Sequence, residues 1–354
     1  MKTPVVLVQG AGGGGGNNLI RSLRRSDVPA RILGSNCLPH AVAKSSAEQS
    51  WLLPVSSDPG YADALRGLIE REGIDVLIPC NDREVGAVAR LRDALPCRVF
   101  LPELDVIETC QDKHALYRRL SSVGVPMATS ISLEEQPDLR AACAALPPTD
   151  RYWIRPRRGS GSKGAGWVRT PEQAEQFIGL WTSLRGFDRS SYQVSVFLPG
   201  RDFAFQSMWY RGRLVVAKLV ERLSYFMGAN RLSGMSSTPE IARTVRDEGA
   251  LETALKAIRA LSPAPHGVFS IDFKADAEGR AHLTEVNIGR CCMITTIFDE
   301  TGTLNTVGAY LRCALDDPPT IADPIDIEEG HLLIRDLDTE PFVIHESRLP
   351  GRVI

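Results

Sequence analysis

The chain has 354 residues, 43% of them hydrophobic and 24% charged, and its formal net charge at pH 7 is -2. These values are typical of a globular protein with two or three domains, and the small net charge excludes a general electrostatic affinity for nucleic acid or anionic membranes. The amino terminus lacks the long apolar stretch of a signal peptide, and no apolar run approaches the roughly 20 residues of a membrane span. We therefore expect a cytoplasmic protein that binds neither nucleic acid nor a membrane.

The first hundred residues alternate between strand and helix patterns. Apolar runs typical of buried parallel strands lie at 5–9, 30–36, 75–80 and 97–102, and amphipathic segments typical of helices lie at 61–73 and 83–95. This alternation predicts an α/β fold that begins with a doubly wound parallel sheet. The alternation stops after residue 112, where strands at 152–170 and 192–221, a helix at 245–262 and a hairpin at 267–287 predict an α+β second half.

A glycine-rich loop joins the first strand to the helix after it. Gly10, Gly12 and Gly15 match the GxGxxG pattern of dinucleotide-binding loops. In those proteins an acidic residue about 20 positions further on binds the ribose, but this chain has Gly34-Ser35-Asn36 there. We therefore favour a tight strand-to-helix turn with a substrate contact, and NAD(P) binding is the lesser alternative.

The hairpin at 267–287 carries the strongest chemical signal. Side chains alternate between the two faces of a strand, so its polar residues are predicted to share one face. These residues are Ser270, Asp272 and Lys274 on the first strand, and Glu285 and Asn287, together with Leu283, on the second. A turn centred on 278–279 places Asp272 directly opposite Glu285, and Ser270 opposite Asn287.

Two facing carboxylates repel each other unless a cation lies between them. A small number of oxygen ligands suits Mg²⁺, which leaves its other coordination positions to water and phosphates. The hairpin therefore predicts a magnesium site at Asp272, Glu285 and Asn287. The alternative is a solvated polar face on an edge hairpin, which the nearby Lys274 favours.

A second glycine-rich loop, from Arg155 to Gly164, combines glycines and hydroxyl groups with four cationic side chains. Backbone N–H groups in such a loop can cradle phosphates, and the cations neutralise them. The loop does not contain the Walker A pattern GxxxxGK[ST]. Taken alone, it leaves phosphate binding and a flexible basic hairpin equally open.

Together these motifs resemble the ATP-grasp superfamily, in particular the carbamoyl-phosphate-synthase-like stand-alone carboxylate–amine ligases, over nearly the whole chain. The first glycine loop resembles the start of the family's Rossmann-like pre-ATP-grasp domain. The loop at 155–164 resembles its phosphate-covering loop, and the hairpin resembles its metal-binding strands, with matching spacing between Asp272 and Glu285. The segment 330–341 resembles a closing strand of this subgroup.

The resemblance implies a Rossmann-like domain at 1–108, an ATP-grasp small lobe at 109–190 and a large lobe at 191–354. It implies ATP and Mg²⁺ as cofactors, and it assigns the metal to the three hairpin residues named above. The residues implied to bind the nucleotide are Lys113, Arg155, Ser160, Gly161, Ser162, Lys163, the adenine hinge Ser195, Val196, Phe197 and Leu198, and Asp202, which is implied to accept from the ribose. Arg290 is implied to face the γ-phosphate or acyl phosphate, and Arg222 is a candidate contact for a substrate carboxylate.

The implied reaction is ATP-dependent activation of a small carboxylate, such as an amino acid, as an acyl phosphate, followed by attack of an amine. The partners expected are therefore a small carboxylate and an amine, with a homodimer as the expected assembly. Two departures from the family stand out: EVNIGR is one residue longer than the usual EINPR, and Val196 replaces the usual hinge glutamate. The alternatives are a carboxyphosphate or carbamoyl-phosphate-type enzyme and a non-catalytic nucleotide-binding protein.

The acceptor side of the site is less specified by the sequence. Asn81, Asp82 and Glu84 follow a strand of the first sheet, at the edge where α/β sheets place ligands. The segment 227–236 contains glycines and follows Arg222 closely. We expect each of these residues either to contact substrate or to serve only as a helix cap or a solvated surface group.

Overall fold

The computed structural model describes residues 2–231, 233–236, 238–292, 294–336 and 340–349. Its strands are β1 Val5–Gln9, β2 Arg31–Asn36, β3 Gln49–Leu52, β4 Val76–Ile78, β5 Arg98–Val99, β6 Ser130–Ser132, β7 Tyr152–Pro156, β8 Gly166–Val168, β9 Tyr192–Val196, β10 Asp202–Tyr210, β11 Arg213–Tyr225, β12 Pro239–Thr244, β13 Gly267–Ala275, β14 Ala281–Ile288, β15 His331–Ile334 and β16 Phe342–His345. Its α-helices are α1 Gly14–Arg25, α2 Pro39–Ala43, α3 Tyr61–Glu72, α4 Asp82–Leu91, α5 Leu104–Cys110, α6 Lys113–Ser121, α7 Leu139–Ala144, α8 Pro171–Arg185, α9 Glu248–Leu261, α10 Thr295–Glu300 and α11 Thr306–Ala314.

The first sheet is parallel, with strand order β3-β2-β1-β4-β5. The predicted doubly wound sheet is therefore confirmed, and α3 ends at Gly73, which takes a left-handed conformation with a φ of 61°. The prediction missed β3, because this edge strand is only half-buried and lacks the continuous apolar run of its neighbours. The chain reverses its direction of winding between β1 and β4, so the loops after these two strands border one crevice.

A four-stranded sheet with the order β6-β9-β7-β8 follows. Its pairs are antiparallel, and its core contains Ile154, Tyr192 and Val194 under α7 and α8. The predicted lobe boundary at 190 separates β9 from this sheet. We therefore propose that the boundary lies after Leu198, since β9 pairs with both β6 and β7.

A seven-stranded sheet has the order β14-β13-β10-β11-β12-β15-β16, and its neighbouring strands are antiparallel. β10 and β11 are joined by a tight turn at Arg211 and Gly212, whose φ angles of 49° and 86° suit a two-residue hairpin loop. The predicted closing strand is present as β15, while residues 337–339 of that motif lie outside the described part of the chain.

The β13–β14 hairpin has the predicted register at its functional end. Asp272 pairs with Glu285 and Ser270 pairs with Asn287. A bulge at Thr284 then shifts the register, so that Leu283 lies opposite Phe273. The prediction that Leu283 shares a face with Glu285 is therefore wrong, because one extra residue moves Leu283 into the buried core.

One hydrophobic core joins the first sheet to the large sheet. It includes Leu7 and Leu77 of the first sheet, Leu251 and Ile258 of α9, and Phe269 of β13, all of them buried. The loops that follow β1 and β4 are thereby held beside the ends of β13 and β14. In the described residues, no helix has the length and apolar character needed to cross a membrane.

Candidate active site

A cavity of about 490 Å³ is lined by residues from all three sheets and from the loops that follow their strands. Every residue predicted from the sequence to bind nucleotide or metal, or to take part in catalysis, lines this one cavity. These residues are Lys113, Arg155, Ser160, Gly161, Ser162, Lys163, Ser195, Val196, Phe197, Leu198, Asp202, Arg222, Asp272, Glu285, Asn287 and Arg290. The sequence motifs therefore converge in space although they span nearly 180 positions of the chain.

The carboxylates of the hairpin face each other beside an amide. Asn287 Nδ2 lies 3.0 Å from Asp272 Oδ2 and 3.5 Å from Glu285 Oε1. Burial and the neighbouring Glu285 carboxylate raise the pKa of Asp272, although Arg222 opposes this rise. Burial also disfavours the ionised form of Glu285, but Lys113 and Arg155 outweigh it and hold its pKa below the usual range.

Arg222 occupies the space next to Asp272. Its guanidinium lies 2.5 Å from Asp272 Oδ1 and 3.2 Å from Asp202 Oδ1, and its side chain is only 12% exposed. The two aspartates hold the pKa of Arg222 well above its usual range even though burial acts to lower it. Arg222 Nε has no partner among the described residues, which leaves one buried donor for a ligand.

Two further cations approach Glu285 from the four-stranded sheet side. Lys113 Nζ lies 3.4 Å from Glu285 Oε2 and donates to the Gly159 carbonyl at 2.8 Å. Arg155 Nη2 donates to the Thr284 carbonyl at 2.8 Å, and its Nε has no partner among the described residues. Because Thr284 is the bulge residue, the irregularity of the hairpin supplies the carbonyl that orients Arg155.

The loop between β7 and β8 closes one side of the cavity. Gly159, Gly161 and Gly164 have φ angles of 109°, 76° and 69°, and Ser162 adopts a left-handed φ of 56°. Successive left-handed residues direct backbone N–H groups toward a common side, as in anion-binding loops. The lysine at the start of α6 reaches this loop through the Gly159 carbonyl, so the loop and the carboxylate site are physically linked.

The predicted adenine hinge lies at the end of β9. The N–H groups of Val196 and Phe197 are already bonded to the carbonyls of Thr129 and Arg151. The Leu198 N–H forms no hydrogen bond with another described residue, so it is free to donate to a base nitrogen. The Phe197 ring, with Arg151 stacked 4.6 Å from its centroid, forms the adjoining wall.

Asp202 was predicted to accept from the ribose. It lines the cavity, but its carboxylate is buried and already has three partners. Tyr225 Oη donates to Asp202 Oδ2 at 2.6 Å, and Lys274 Nζ lies 3.6 Å from the same oxygen, in addition to the Arg222 contact. Ribose binding by Asp202 stays a prediction, which requires at least one of these contacts to be exchanged.

Arg290 remains in the cavity despite the longer EVNIGR motif. Gly289 takes a left-handed φ of 72°, and a Cβ on it would lie 2.8 Å from Val85 Cγ1, so only glycine fits this turn without a shift. Arg290 Nε then donates to Asp82 Oδ1 at 2.6 Å and its Nη2 donates to Asn287 Oδ1 at 2.5 Å. The extra residue is accommodated by the turn, and Asp82, the first residue of α4, positions the arginine.

The first sheet contributes one end of the cavity. Gly10 and Gly13 follow β1, Asn36 is the last residue of β2, and Cys80 and Asn81 follow β4. Gly10, Asn36 and Asn81 were considered as contacts in the sequence analysis, whereas Gly13 and Cys80 were not, although their position at the carboxyl edge of a parallel sheet was a usable signal. From the later segment, Met235 and Ser236 also line the cavity.

Asn81 and Glu84 both have structural contacts. Asn81 caps α4 by accepting from the N–H groups of Arg83 and Glu84 at 3.1 and 3.0 Å. Glu84 Oε2 accepts from the Cys80 N–H at 3.0 Å, directly behind Gly10. Burial raises the pKa of Glu84 to about 7.

Comparison with solved structures reveals the same architecture in several enzymes. An L-amino acid ligase from Bacillus licheniformis aligns with 94% of this chain and 79% of its own, with a TM-score of 0.69 and 13% identity. An N5-carboxyaminoimidazole synthetase from Staphylococcus aureus, complexed with ADP, aligns over 95% and 83%, with a TM-score of 0.72 and 15% identity. The chain has the ATP-grasp fold. No protein-family model and no curated protein matches its sequence.

A third structure with this ATP-grasp fold shows its ligands. The biotin carboxylase domain dimer of the Hydrogenobacter thermophilus 2-oxoglutarate carboxylase aligns over 94% of this chain and 74% of its own, with a TM-score of 0.71 and 15% identity. That structure contains MgADP, ADP and bicarbonate. At these identities the likeness establishes the fold, and the chemistry must be argued from this chain's own residues.

The residues of the cavity fit a magnesium–nucleotide complex. Asp272, Glu285 and the Asn287 carbonyl oxygen are oxygen donors, the type that Mg²⁺ selects. The partnerless Nε groups of Arg155 and Arg222 point to an acceptor that the protein itself does not supply. Phosphate oxygens would satisfy both requirements at once.

Proposed function

We propose that this protein is an ATP-dependent ligase that activates a small carboxylate as an acyl phosphate and couples it to an amine, releasing ADP and phosphate. The observation that carries the proposal is the pairing of Asp272 directly opposite Glu285 within a cavity that also contains Lys113, Arg155 and Arg290. Two half-buried carboxylates surrounded by cations suit a charged ligand that brings both a metal and phosphates.

The nucleotide would lie between the four-stranded and seven-stranded sheets. The Leu198 N–H would donate to the adenine, and the Phe197 ring would pack against it. The hinge would then bind the base without the glutamate that the family usually has where this chain has Val196. Lys113, Arg155 and the backbone of Ser160 to Lys163 would contact the phosphates. Asp272, Glu285 and Asn287 would hold Mg²⁺, which when bound supplies neutralisation of the phosphate charge.

The protein's contribution to the reaction would be positioning and charge stabilisation. Arg290, held by Asp82, would orient the γ-phosphate and then the acyl phosphate. The loop at 159–164 would cover the phosphates and exclude water, which otherwise hydrolyses an acyl phosphate. The carboxylate and amine would enter through the crevice between the loops after β1 and β4.

A second candidate reaction uses bicarbonate as the carboxylate, giving carboxyphosphate. The reason to retain it is the bicarbonate found with MgADP in the Hydrogenobacter thermophilus structure of the same fold. ADP release that depends on bicarbonate alone would favour this candidate. ADP release that depends on one organic acid would favour the carboxylate–amine ligase.

The test is ADP release from Mg-ATP in the presence of hydroxylamine, across pools of amino acids and other small carboxylates. We expect a pool-dependent hydroxamate, which identifies the acid, and we expect Glu285→Ala to abolish both products while the circular dichroism spectrum is unchanged. Glu278→Ala, at the exposed turn of the same hairpin, is the matched control and should retain activity. Full activity in Glu285→Ala would refute the assignment of the metal site.

A further inference from the structure

The protein cations already balance the carboxylates of the cavity. Seven cationic side chains line it, against three carboxylates in its lining and the Asp82 carboxylate that pairs with Arg290. The cations are Lys113, Arg155, Arg158, Lys163, Arg222, Lys274 and Arg290, and the lining carboxylates are Asp202, Asp272 and Glu285. The site therefore carries no net negative charge before any ligand enters. A free divalent cation would gain little there, whereas the phosphates of a nucleotide would be attracted.

Arg222 supplies the positive charge that balances the Asp272 carboxylate. Across the sheet, Glu285, Asp272 and Ala204 lie in one row, on β14, β13 and β10. The small side chain of Ala204 lets Arg222 reach from β11 over β10 to Asp272 Oδ1, at 2.5 Å. A guanidinium at this distance occupies the position in which a cation would bind Asp272.

The protein alone offers few ligands to a metal. In the described part of the chain, no group of three or more histidine, cysteine, aspartate or glutamate side chains is placed to hold a metal ion. Asp272 and Glu285 would be the only carboxylates in the hairpin site, and both are paired with cations. Additional oxygen ligands would have to come from phosphates, which also attract Arg222 and Lys113 away from the carboxylates.

We propose that Arg222 is the resident counter-ion of the metal site, and that it restricts the site to a divalent cation that arrives with, or after, the nucleotide. The inference rests on the proposed nucleotide site and specifies the ligand form that this site accepts. Arrival of the nucleotide phosphates, of ADP as well as ATP, transfers Arg222 from Asp272 to a phosphate oxygen, which exposes the Asp272 carboxylate to the metal. Free metal ions then cannot occupy the site ahead of the substrate.

The test measures binding rather than turnover. Mn²⁺ binding to the full chain is followed by electron paramagnetic resonance with and without ADP, and ATP binding in EDTA is followed by calorimetry. We expect ATP to bind without metal, and Mn²⁺ to bind wild type at least about tenfold more tightly with ADP than without, as expected when one positive charge is removed from a few ångströms away.

Variants identify the residue responsible. Arg222→Gln should bind Mn²⁺ without nucleotide at least about tenfold more tightly than wild type, and Arg222→Gln combined with Asp272→Asn should lose this gain. Arg201→Gln is the matched control, because Arg201 pairs with Glu221 and Asp247 outside the cavity and should leave Mn²⁺ binding unchanged.

Each contrary result has a distinct meaning. Equal Mn²⁺ affinity of wild type with and without ADP overturns the inference while leaving the ATP site intact, and this comparison needs no variant to fold. An Arg222→Gln variant that folds but gains no Mn²⁺ binding also overturns it. Failure of wild type to bind ATP under any condition overturns the proposed function itself.

Discussion

Lys218 allows the contribution of a buried ion pair beneath the active site to be measured. Its side chain is 2% exposed, and its Nζ lies 2.9 Å from Asp326 Oδ2 and 2.6 Å from the carbonyls of Phe298 and Thr301. The pair joins β11, which also carries Arg222, to the segment between α11 and β15, and the two carbonyls belong to the end of α10. Lys218→Met keeps the aliphatic stem but removes the charge that these three acceptors share.

The expected loss in the free energy of unfolding follows from the Asp326 carboxylate, which the substitution leaves without its cation. Removing one partner of a buried ion pair costs about 3–5 kcal/mol, because the other charge stays buried. We expect the lower end of this range, because the N–H groups of Thr303 and Leu304 continue to donate to Asp326 at 2.7 and 2.9 Å. Burial lowers the pKa of Lys218, so the contacts do not fully offset the desolvation of its ammonium group.

The assay is urea denaturation at pH 7, with the free energy of unfolding compared among variants. Lys218→Met combined with Asp326→Asn should recover most of the loss, since the orphaned charge is then absent. Lys256→Met, at an exposed lysine bonded to the Gly124 carbonyl, is the control and should change stability little. A loss below about 1 kcal/mol for Lys218→Met, or no recovery in the double variant, would refute the argument.

Two further predictions concern the loops around the cavity. Burial raises the pKa of Glu84 from 4.5 to about 7, so the unfolded chain loses the proton first and stability falls as the pH rises from about 4.5 to 7. Glu84→Gln should therefore match wild type at pH 4 and exceed it by up to roughly 3 kcal/mol at pH 8, and equal urea midpoints at pH 8 would contradict this. Gly164→Ala should weaken ATP binding, measured by calorimetry, more than Gly161→Ala does. A Cβ on Gly164 would lie 2.8 Å from Tyr192 Oη, whereas Gly161 faces open space. Equal ATP affinities of the two variants would contradict this prediction.

The sequence predicted the features that depend on local periodicity. The parallel strands of the first sheet and the opposition of Asp272 and Glu285 follow from apolar runs and from a glycine at the hairpin turn, where Gly279 has a φ of 85°. The bulge at Thr284 was not predicted, because an added residue in a strand changes neither its length nor its composition visibly. The register beyond the bulge, and with it the position of Leu283, was therefore wrong.

Contacts between strands that are distant in sequence were beyond local reasoning. Arg222 meets Asp272 because β10 lies between β11 and β13, an order set by crossover connections rather than by any pattern in the strands themselves. The partners of Asp202 depend on the same order, so a residue predicted to be available for ribose is instead paired with Arg222. Similarly, the contact of Asp82 with Arg290 joins the start of α4 to the turn after β14.

Arg290 lines the cavity although the EVNIGR motif is one residue longer than the usual EINPR. An extra residue between Asn287 and Arg290 would displace the guanidinium if the strand continued with its regular alternation. Instead β14 ends at Ile288, Gly289 turns with a left-handed φ, and the Arg290 carbonyl accepts from Ser270 Oγ at 3.0 Å. Val85 leaves no space for a side chain at Gly289. The close approach of α4 that requires this glycine also brings Asp82, three residues before Val85, within reach of Arg290. The longer motif is thus compatible with an arginine directed at the phosphates.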